Sequence, residues 1–369
     1  MNKCSGNILL ISPESWNHIF VSKHHYAIEL IKKGFNVYFL NPPSTVNDVE
    51  VKEVKEFDGL YTIDYFIPLR GQRFLPDFFI RLLDKKLLKR FEDKAKCKFD
   101  IIWNFESSRF YNFSFANKNV LKIYHQVDLT ENFHLKKASS TADICFCTTE
   151  FILNRLKPYN KKTYKIHHGV SQHAFNANSS NQQLSNKKGV TATYIGNLDI
   201  PYLDVTLLEK LVKNFPAVQF QFVGTYGKDS VAYNRLSSYS NTVFTGKVAS
   251  KEIIGYLNNS DLLLVCYKAD EYKEQLASPH KMMEYLASGK TIVATYTDEY
   301  KDKKDLLLMT HRNEDYMSIF NEAIENLNTY NSPQVQEKRI AFAREHTYKE
   351  QVDKIFHLIK ENVITSTFS

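Results

Sequence analysis

Short apolar runs alternate with amphipathic helical patterns along most of this sequence, and this alternation restricts the possible folds more than any other feature. "ILLIS" (Ile8–Ser12) is typical of a buried strand, and Lys23–Gly34 has the spacing of an amphipathic helix that Gly34 ends. "NVYFLNPP" (Asn36–Pro43) is the next predicted strand, which two prolines terminate. This order predicts a β-α-β unit, and such a unit implies a parallel sheet.

The alternation continues as far as Val170 and resumes further along the chain. We predict strands at Phe99–Phe105, Val120–His125, Ala142–Thr149 and Thr163–Val170, and a capped helix at Thr149–Tyr159. A polar stretch rich in Asn and Ser, residues 171–189, then interrupts the pattern and predicts a linker. Beyond it, strands are predicted at Val190–Asn197, Val218–Gly224, Thr242–Val248, Leu262–Lys268 and Thr291–Thr295.

In a chain of 369 residues, these patterns predict two doubly wound α/β domains. We assign residues 1–170 to the first domain, 171–189 to the linker and 190–335 to the second domain. A helical pattern from about Ser332 to Glu361 ends the chain, and we assign 336–369 to a C-terminal helix. In such sheets ligands bind beyond the carboxyl ends of the strands, so the expected site is a cleft between the two domains.

Composition and charge exclude a disordered protein and restrict the kinds of ligand. Hydrophobic residues make up 43% and charged residues 24% of the chain, which is typical of a globular protein and not of a disordered one. The net charge of +7 fits an anionic small-molecule substrate or an acidic membrane surface, and it is weak support for nucleic acid. Ordinary solvation by lysine explains the same charge equally well.

The cysteine pattern and the absence of long apolar runs predict a cytoplasmic location. No two cysteines form a C-x-x-C pair, so we expect reduced thiols with no disulfide and no zinc site. These cysteines are Cys4, Cys97, Cys145, Cys147 and Cys266. "GNILLIS" is too short for a signal segment, and no apolar run reaches the roughly 18 residues of a membrane span.

The segment "ASPHKMMEYLASGKTIVAT" (Ala277–Thr295) carries the most chemistry. Ser278 is a candidate N-cap and Pro279 suits an early helical turn, so a helix N-terminus is expected to follow the strand at Leu262–Lys268. Its free N–H groups, together with Lys281 and His280, are suited to an anion such as a diphosphate. The alternative is an ordinary N-capped amphipathic helix that packs on a sheet.

Five segments of the chain together resemble one enzyme family. "SPHKMMEYLASGKTIVAT" resembles the nucleotide-sugar motif S-P-x-K-x-x-E-Y-L-A-x-G-x-P-V of GT-B glycosyltransferases. "SWNHIFVSKHHYAIELIKKGFNVYFLNPP", "KIHHGVSQHAF" and "TYIGNLD" resemble the first β-α-β unit, the interdomain strand and the first donor-domain loop of bacterial capsule, teichuronic-acid and exopolysaccharide members. "HTYKEQVDKIFHLI" resembles the C-terminal helix that returns to the first domain.

This resemblance implies a GT-B fold and transfer of a sugar from a nucleotide-sugar donor, with a UDP-sugar as the first choice. It implies a glycan or lipid-linked acceptor in bacterial surface polysaccharide synthesis. Glu284 would bind the ribose hydroxyls, and the remaining donor-binding candidates would face the diphosphate or the sugar. These candidates are Lys281, Ser278 and His280, and Gly196 and Asn197 would let the loop after the first donor-domain strand approach the phosphates.

The sequence departs from the family at two positions. Many retaining members carry a glutamate where this chain has Leu276, while Glu274 and Glu271 lie out of register. The loop "GNLDIPYLD" also lacks the usual Arg and Lys, which leaves more of the phosphate binding to Lys281. The stereochemical outcome, the sugar and the nucleotide base therefore stay open.

Two residues at the end of a predicted strand are candidates for the chemistry. His125 matches a histidine that contacts the donor sugar in retaining members. "YHQVD" matches the spacing of the aspartate base in the inverting glucuronosyltransferase of xanthan synthesis, which makes Asp128 a candidate general base. We favour Asp128 as base with His125 near the sugar; the alternative is that Asp128 caps the helix after it.

Other strand-end residues are candidates for the acceptor side. Glu106 and Arg109 follow a predicted strand, and Trp16 is able to stack on a sugar ring or to pack between domains. No D-x-D pair has a fitting context and His24 and His25 have no partner at ligand spacing, so we expect no metal. Lys281 and the helix dipole would then carry the charge of the leaving group.

The stretch Phe74–Lys98 is basic, amphipathic and aromatic at its start. It resembles the surface that docks such enzymes on the inner face of the membrane, which predicts a peripheral association. A solvated helix face is the alternative reading. Two other functions also stay open: a nucleotide-sugar epimerase of the same fold, and a non-catalytic nucleotide-sugar binding protein. A dehydrogenase is discounted because no G-x-G-x-x-G follows the first strand, and no nucleic-acid motif is present.

Overall fold

The computed structural model describes residues 5–67, 75–129, 134–175, 189–312 and 315–363. Cys4, Phe74 and most of the predicted linker lie outside these ranges. The chain divides into two compact units. Unit 1 comprises Met1–His168 and Tyr348–Ser369, and unit 2 comprises Gly169–Thr347.

Fourteen strands lie within the described residues and form one sheet in each unit. Those of unit 1 are β1 (Asn7–Ile11), β2 (Asn36–Leu40), β3 (Glu50–Glu53), β4 (Leu60–Asp64), β5 (Ile101–Asn104), β6 (Leu121–Gln126), β7 (Ile144–Cys147) and β8 (Thr163–Lys165). Those of unit 2 are β9 (Thr191–Ile195), β10 (Gln219–Val223), β11 (Thr242–Gly246), β12 (Leu262–Val265), β13 (Thr291–Ala294) and β14 (Leu308–Met309).

Helices connect the strands and cover the sheets. In chain order they are α1 (Ser22–Lys32), α2 (Asp77–Ala95), α3 (Leu135–Thr141), α4 (Glu150–Leu156), α5 (Val205–Asn214), α6 (Val231–Leu236), α7 (Ser250–Asn259), α8 (Lys281–Ala287), α9 (Tyr316–Glu325), α10 (Leu327–Tyr330), α11 (Pro333–Arg344) and α12 (Tyr348–Asn362).

The order of strands shows that both units are doubly wound. The unit 1 sheet has the order β3-β4-β2-β1-β5-β6-β7-β8, and all neighbours are parallel except the β3–β4 pair. The unit 2 sheet has the order β11-β10-β9-β12-β13-β14 and is parallel throughout. The order reverses between β1 and β5 in unit 1 and between β9 and β12 in unit 2. Ligands of such sheets bind at these switch points.

Alternation of apolar side chains explains the layers of unit 1. Ile8 and Leu10 of β1 pack into a core with α1 and α12, whereas Leu9 and Ile11 pack into a core with α2. A parallel sheet that is buried on both faces requires this near-continuous apolar pattern. The predicted β-α-β unit at the start of the chain is therefore confirmed, and Gly34 follows α1 with φ of 89°.

The predicted cap of α4 is also confirmed. The Thr149 side chain accepts a hydrogen bond from the backbone N–H of Ile152. This bond satisfies one of the N–H groups that the first helical turn leaves without a partner.

The end of the chain differs from the prediction. The helical pattern forms two helices, α11 in unit 2 and α12 in unit 1, instead of one helix over residues 336–369. The phenyl ring of Phe356 in α12 stacks on Phe35, with ring centroids 5.3 Å apart, and Asp353 pairs with Lys33. The return of the last helix to the first unit is confirmed, and it begins at Tyr348.

The β3–β4 pair and β14 were not predicted. β3 is exposed at all but one position and lacks the apolar run on which the prediction depended. Within the described residues, no helix combines the length and the apolar character needed to cross a membrane.

Candidate functional site

Two glycines bring the loops after β9 and β10 into close contact at the switch point of unit 2. Gly196 has φ of 145° and donates its N–H to the Val223 carbonyl at 2.8 Å. A Cβ on Gly224, which also has φ of 145°, would lie 2.0 Å from the Gly196 carbonyl oxygen. Any other residue at Gly224 would therefore push the two loops apart.

A tyrosine hydroxyl holds β9 and β12 where their pairing ends. The two strands pair through Ala192 and Thr193, and no further β9–β12 pair follows within the described residues. The Tyr285 hydroxyl of α8 accepts from the Ile195 N–H at 2.9 Å and lies 3.4 Å from the Leu264 carbonyl, to which it donates. The strands separate beyond this point without leaving these two backbone groups unpaired.

Lys281 points its ammonium group at this same place. The Lys281 Nζ lies 3.7 Å from the ring centroid of Tyr194 and 5.2 Å from that of Tyr267, and a Cβ on Gly196 would lie 2.7 Å from it. The Nζ is buried and has no hydrogen-bond partner among the described residues. Burial lowers the pKa of Lys281 to about 7. We call Lys281, Tyr194, Tyr267 and Gly196 the lysine cage.

Within the described residues, the lysine cage supplies no hydrogen-bond acceptor to the Lys281 ammonium. The faces of the two tyrosine rings attract a cation but accept none of its hydrogen bonds. A buried charge without a hydrogen-bonded partner is unfavourable, and an oxygen of a phosphate would supply what is missing. The cage also lies beyond the carboxyl ends of β9 and β12, where an open sheet binds its ligands.

The start of α8 differs from the predicted capped helix. The α-helical residues begin at Lys281, and the N-cap position is His280, whose side chain forms no cap bond. Ser278 is buried and interacts with the Tyr300 hydroxyl, so its predicted capping role is wrong. His280 and Glu284 are exposed, and Glu284 follows Lys281 by one helical turn.

Asn197 shapes the loop after β9. Its side-chain oxygen accepts from the Asp199 N–H at 2.9 Å, and its carbonyl accepts from the Tyr194 hydroxyl at 3.2 Å. The Asp199 carboxylate in turn accepts from the Gly227 N–H at 2.6 Å. The side chain of Asn197 therefore organises the turn beside the lysine cage.

In unit 1, Arg109 and Glu106 form an ion pair in which each side chain is 13% exposed. Arg109 donates to the Ser12 carbonyl at 2.7 Å, to the Asn41 carbonyl at 3.1 Å, to the Tyr65 hydroxyl at 2.5 Å, and also to Glu106. These contacts engage its guanidinium on all sides and connect the ends of β1, β2, β4 and β5. The guanidinium already bonds within the protein, and the assignment of Arg109 and Glu106 to the acceptor side stays a prediction.

Trp16 packs inside unit 1. It is 7% exposed and makes edge-to-face contacts with Phe20, Phe39 and Phe57 at centroid distances of 5.1–5.9 Å. Its backbone N–H donates to Asn41 at 2.8 Å. The indole is therefore an element of the core and not an open stacking platform.

A concavity of about 1110 Å³ lies beyond β1 and β2 of unit 1. The loop after β1, the turn at Asn41–Ser44 and the segment Lys52–Phe57 line it. Phe20 contributes a ring that is 37% exposed. Aromatic surface next to carboxylate, amide and ammonium groups is a lining that suits a sugar.

His125 has no access to solvent. Its exposed fraction is 0%, and its ring lies 5.0 Å from Phe105 and 5.2 Å from Tyr26 between ring centroids. Neither ring nitrogen has a hydrogen-bond partner within the described part of the chain. Burial and, second, the charge of Lys23 lower the pKa of His125 to about 3, so the ring is neutral. A role beside the donor sugar is not supported by this position.

Asp128 lies in the loop after β6, and its side chain is 46% exposed. One carboxylate oxygen lies 3.4 Å from the Nζ of Lys23, which also contacts Glu14 at 3.3 Å. A ring nitrogen of His168 lies within 4.8 Å of an Asp128 carboxylate oxygen. Residues 130–133 lie outside the described residues, so the alternative role of Asp128 as a helix cap is not tested.

The structure thus brings Lys281 and Gly196 together in unit 2 and pairs Asp128 with partners in unit 1 that the sequence did not suggest. The residues missed by sequence reasoning are Tyr194, Tyr267, Tyr285, Gly224, Lys23 and Glu14. The tyrosine near the end of the strand "TATYIG" was the available signal for the lysine cage.

Comparisons with known proteins match the part of the chain that contains this cage. The sequence model of the family described as "Glycosyl transferases group 1" matches residues 191–328, which contain the whole lysine cage. The Bacillus subtilis protein described as "Putative teichuronic acid biosynthesis glycosyltransferase TuaH" is 26% identical over 162 residues. That match covers 42% of this chain and 40% of the relative, so less than half of either protein is aligned.

Solved structures show that the chain has the GT-B fold. Sucrose-phosphate synthase from Thermosynechococcus elongatus has a TM-score of 0.71 at 15% identity, over 96% of this chain and 98% of its own. An Escherichia coli structure, described as "Trehalose-6-phosphate" bound with UDP-2-fluoro glucose, has a TM-score of 0.66 at 10% identity, over 96% and 99%. The predicted α/β two-domain GT-B fold is confirmed.

Proposed function

We propose that this protein is a glycosyltransferase that moves a sugar from a nucleotide-sugar donor to a glycan or lipid-linked acceptor. The observation that carries the proposal is the buried ammonium of Lys281, which lacks a hydrogen-bond partner among the described residues and lies beside Gly196 at a switch point. A nucleotide diphosphate supplies the anion that this cage lacks. The match to the glycosyl transferase family over residues 191–328 supports the same conclusion.

The donor is proposed to be a UDP-sugar, with the diphosphate at Lys281 and the ribose hydroxyls at Glu284. The E. coli neighbour that is bound with UDP-2-fluoro glucose supports this choice by fold only. The resemblance to TuaH supports a role in the synthesis of a bacterial surface polysaccharide. Ser278, being buried, is not included among the direct donor contacts.

The proposed reaction inverts the configuration at the anomeric carbon, with Asp128 as general base. Its carboxylate is 46% exposed, whereas the ring of His125, the other candidate, is inaccessible. Lys281 would stabilise the negative charge on the leaving diphosphate, so the reaction is proposed to be independent of metal. The test is the rate of nucleotide release with and without EDTA, and loss of activity in EDTA would contradict metal independence.

We place the acceptor in the concavity beyond β1 and β2. This assignment is an alternative to Glu106 and Arg109, whose polar groups already bond within the protein. Replacing Phe20 by Ala is expected to raise the KM for the acceptor several-fold while leaving the KM for the donor unchanged, because Phe20 is an exposed ring in this lining. Equal acceptor KM values for both proteins would place the acceptor elsewhere.

The exposed face of α2 is proposed to dock on an anionic membrane surface. Phe78, Phe79 and Leu82 are 56%, 55% and 47% exposed, and the exposed Lys85 and Lys89 continue the same side of the helix. The wild-type protein is expected to sediment with vesicles that contain phosphatidylglycerol and less with pure phosphatidylcholine. A Phe78→Ser, Phe79→Ser variant that binds as well as wild type would contradict this role.

The first experiment is a thermal-shift panel with UDP, GDP, CMP, ADP and dTDP on wild type, Lys281→Met and Glu284→Ala. One nucleotide should stabilise the wild type and should have little effect on either variant. If no nucleotide shifts the melting temperature of the wild type, the donor site is not in the lysine cage.

A second experiment separates the transferase from the remaining alternatives. Release of nucleotide from the sugar donor should require a glycan acceptor, and Asp128→Asn should abolish that release without changing nucleotide binding. Conversion of the donor without an acceptor would identify an epimerase. Binding without any turnover, across a panel of acceptors, would identify a non-catalytic binding protein.

A further inference from the structure

A buried lysine in unit 1 contacts two carboxylates and has no role in the function proposed above. Lys23 lies in the first turn of α1 and is 3% exposed. Its Nζ lies 3.3 Å from Glu14 Oε1 and 3.4 Å from Asp128 Oδ2. Glu14 belongs to the loop after β1 and Asp128 to the loop after β6, so one ammonium connects the ends of two strands that flank β5.

The three side chains differ in their access to solvent. The Lys23 side chain is 4% exposed, whereas Glu14 is 26% and Asp128 is 46% exposed. The cation therefore lies beneath the carboxylates, and they remain accessible to a substrate. Because little water surrounds the ammonium, its attraction for the carboxylates is weakly screened. A positive charge at this distance favours the ionised form of a carboxylate.

We propose that Lys23 is a positioning residue that holds Asp128 ionised and oriented as the general base. This inference rests on the proposed function. In the reaction, the Asp128 carboxylate takes the proton of the acceptor hydroxyl while the hydroxyl oxygen bonds to the anomeric carbon. The bond from that carbon to the donor's diphosphate oxygen breaks, and its electron pair leaves with the nucleotide diphosphate. Protonated Asp128 then returns the proton to water.

The charged and titratable groups of unit 1 around Asp128 predict opposite changes in its proton affinity when Lys23 or Glu14 is neutralised. They are Lys23 on α1, Glu14 after β1, His125 on β6 and His168 after β8. His125 stays neutral because its pKa is about 3. Removing the charge of Lys23 leaves two carboxylates without their shared cation, which raises the proton affinity of Asp128. Removing the charge of Glu14 takes away a nearby negative charge while Lys23 stays in place, which lowers the proton affinity of Asp128.

The test is the pH dependence of acceptor-dependent nucleotide release for wild type, Lys23→Met, Lys23→Arg and Glu14→Gln. Lys23→Met should move the acid limb of the rate profile up by about one pH unit and lower kcat, with the KM for the donor unchanged. Lys23→Arg should restore the limb, and Glu14→Gln should move it down. Lys32→Met is the matched control, because Lys32 is on the same helix but 57% exposed.

A second measurement does not depend on turnover. The Asp128 carboxyl carbon, identified by its loss in Asp128→Asn, is titrated by NMR in wild type, Lys23→Met and Glu14→Gln. The titration midpoint should rise in Lys23→Met and fall in Glu14→Gln. If Lys23→Met does not fold, Glu14→Gln alone decides, and an unchanged midpoint overturns the inference.

The outcomes separate this inference from the proposed function. Full activity of Asp128→Asn would remove the proposed base and with it the role of Lys23. An inactive Asp128→Asn, together with an unshifted profile for Lys23→Met, would overturn only the positioning role of Lys23.

Discussion

At the scale of one residue, Lys281 combines a buried ammonium with a lowered pKa, and the proposed function uses both features. Its ammonium lies against the ring of Tyr194 and is buried without a hydrogen-bond partner in the described residues. Burial lowers its pKa to about 7, whereas a lysine in an unfolded chain titrates near 10.5. An anion that binds here both satisfies the ammonium and favours its protonated form.

Lys281→Met is expected to weaken nucleotide binding and to stabilise the protein that has no nucleotide bound. The variant should bind the diphosphate nucleotide about 10–100-fold more weakly, since a charge-assisted hydrogen bond is lost. Without nucleotide it should melt at a higher temperature than wild type, because a desolvated charge is removed. Calorimetric melting with and without nucleotide measures both effects, and Lys210→Met, on the exposed face of α5, is the control.

The pH dependence of the same residue has a defined sign. Because the folded pKa lies below the unfolded pKa, the native state is penalised fully below about pH 7, and the penalty declines as the pH rises toward 10.5. The gain in stability from Lys281→Met should therefore be largest at or below pH 7. The affinity of the wild type for nucleotide should fall as the pH rises above 7. Over the same pH range, the affinity of Lys281→Arg should fall less than that of the wild type. A gain that is equal at pH 6 and pH 10 would contradict this assignment.

At the scale of the secondary-structure elements, α8 acts as a bridge between strands that do not pair along their full length. The Tyr285 hydroxyl takes the place of a strand-to-strand hydrogen bond between Ile195 and Leu264. The same helix carries Lys281 at its first residue. The position of the ammonium therefore depends on a hydrogen bond made one turn further along the same face of the helix.

Tyr285→Phe is expected to destabilise the protein by about 1–3 kcal/mol, because a buried backbone N–H loses its acceptor. Nucleotide affinity should fall as well, since α8 is then less firmly held on the sheet. Denaturant unfolding and nucleotide titration measure the two effects. Tyr256→Phe on α7 is the control, and an equal loss in both variants would show that the bridging bond has no special role.

A buried carboxyl on α2 gives a second prediction at this scale. Asp84 is 5% exposed, and burial raises its pKa to about 7. The folded carboxyl binds its proton more tightly than the unfolded one, so the protein loses stability as the pH rises from about 4 to 7. Asp84→Asn should raise the melting temperature, and the gain should grow between pH 5 and pH 8. The exposed Asp93→Asn on the same helix should show no such trend.

At the scale of the whole molecule, unit 1 is completed by a segment from the end of the chain. Val352, Ile355 and Ile359 of α12 are buried in the core that also contains Ile8 and Leu10 of β1. Unit 2 has a separate core formed by β9 to β13 and their helices. A change in α12 should therefore act on unit 1, although the residues before α12 belong to unit 2.

Ile355→Ala is expected to cost about 2–5 kcal/mol, as for other buried large-to-small substitutions. Hydrogen exchange should then increase in β1 and β2 and remain unchanged in β9 and β10. Leu208→Ala, a buried leucine of unit 2, should give the reverse pattern. If each substitution accelerates exchange in both units equally, then the two cores do not unfold separately.

Periodicity was sufficient for the architecture. The spacing of apolar residues predicted the first β-α-β unit, the cap at Thr149 and the second set of strands. It was sufficient because the buried face of a strand or helix repeats within about 10 residues of sequence. The motif around Lys281 was also recognisable, since its residues are close together in sequence. β3 was missed because it is exposed and has no apolar pattern. The break between α11 and α12 was missed because it does not interrupt the helical pattern.

Only the tertiary structure decided which polar residues are accessible and which are buried. Arg109 and Asp128 both follow a predicted strand, yet Arg109 is enclosed by four carbonyl, hydroxyl and carboxylate partners while Asp128 remains half exposed. Lys23 and Asp128 are separated by 105 residues in the sequence and meet because β1 and β6 end at the same edge of one sheet. Sequence spacing records local periodicity, whereas such contacts depend on strand order, which long-range packing determines.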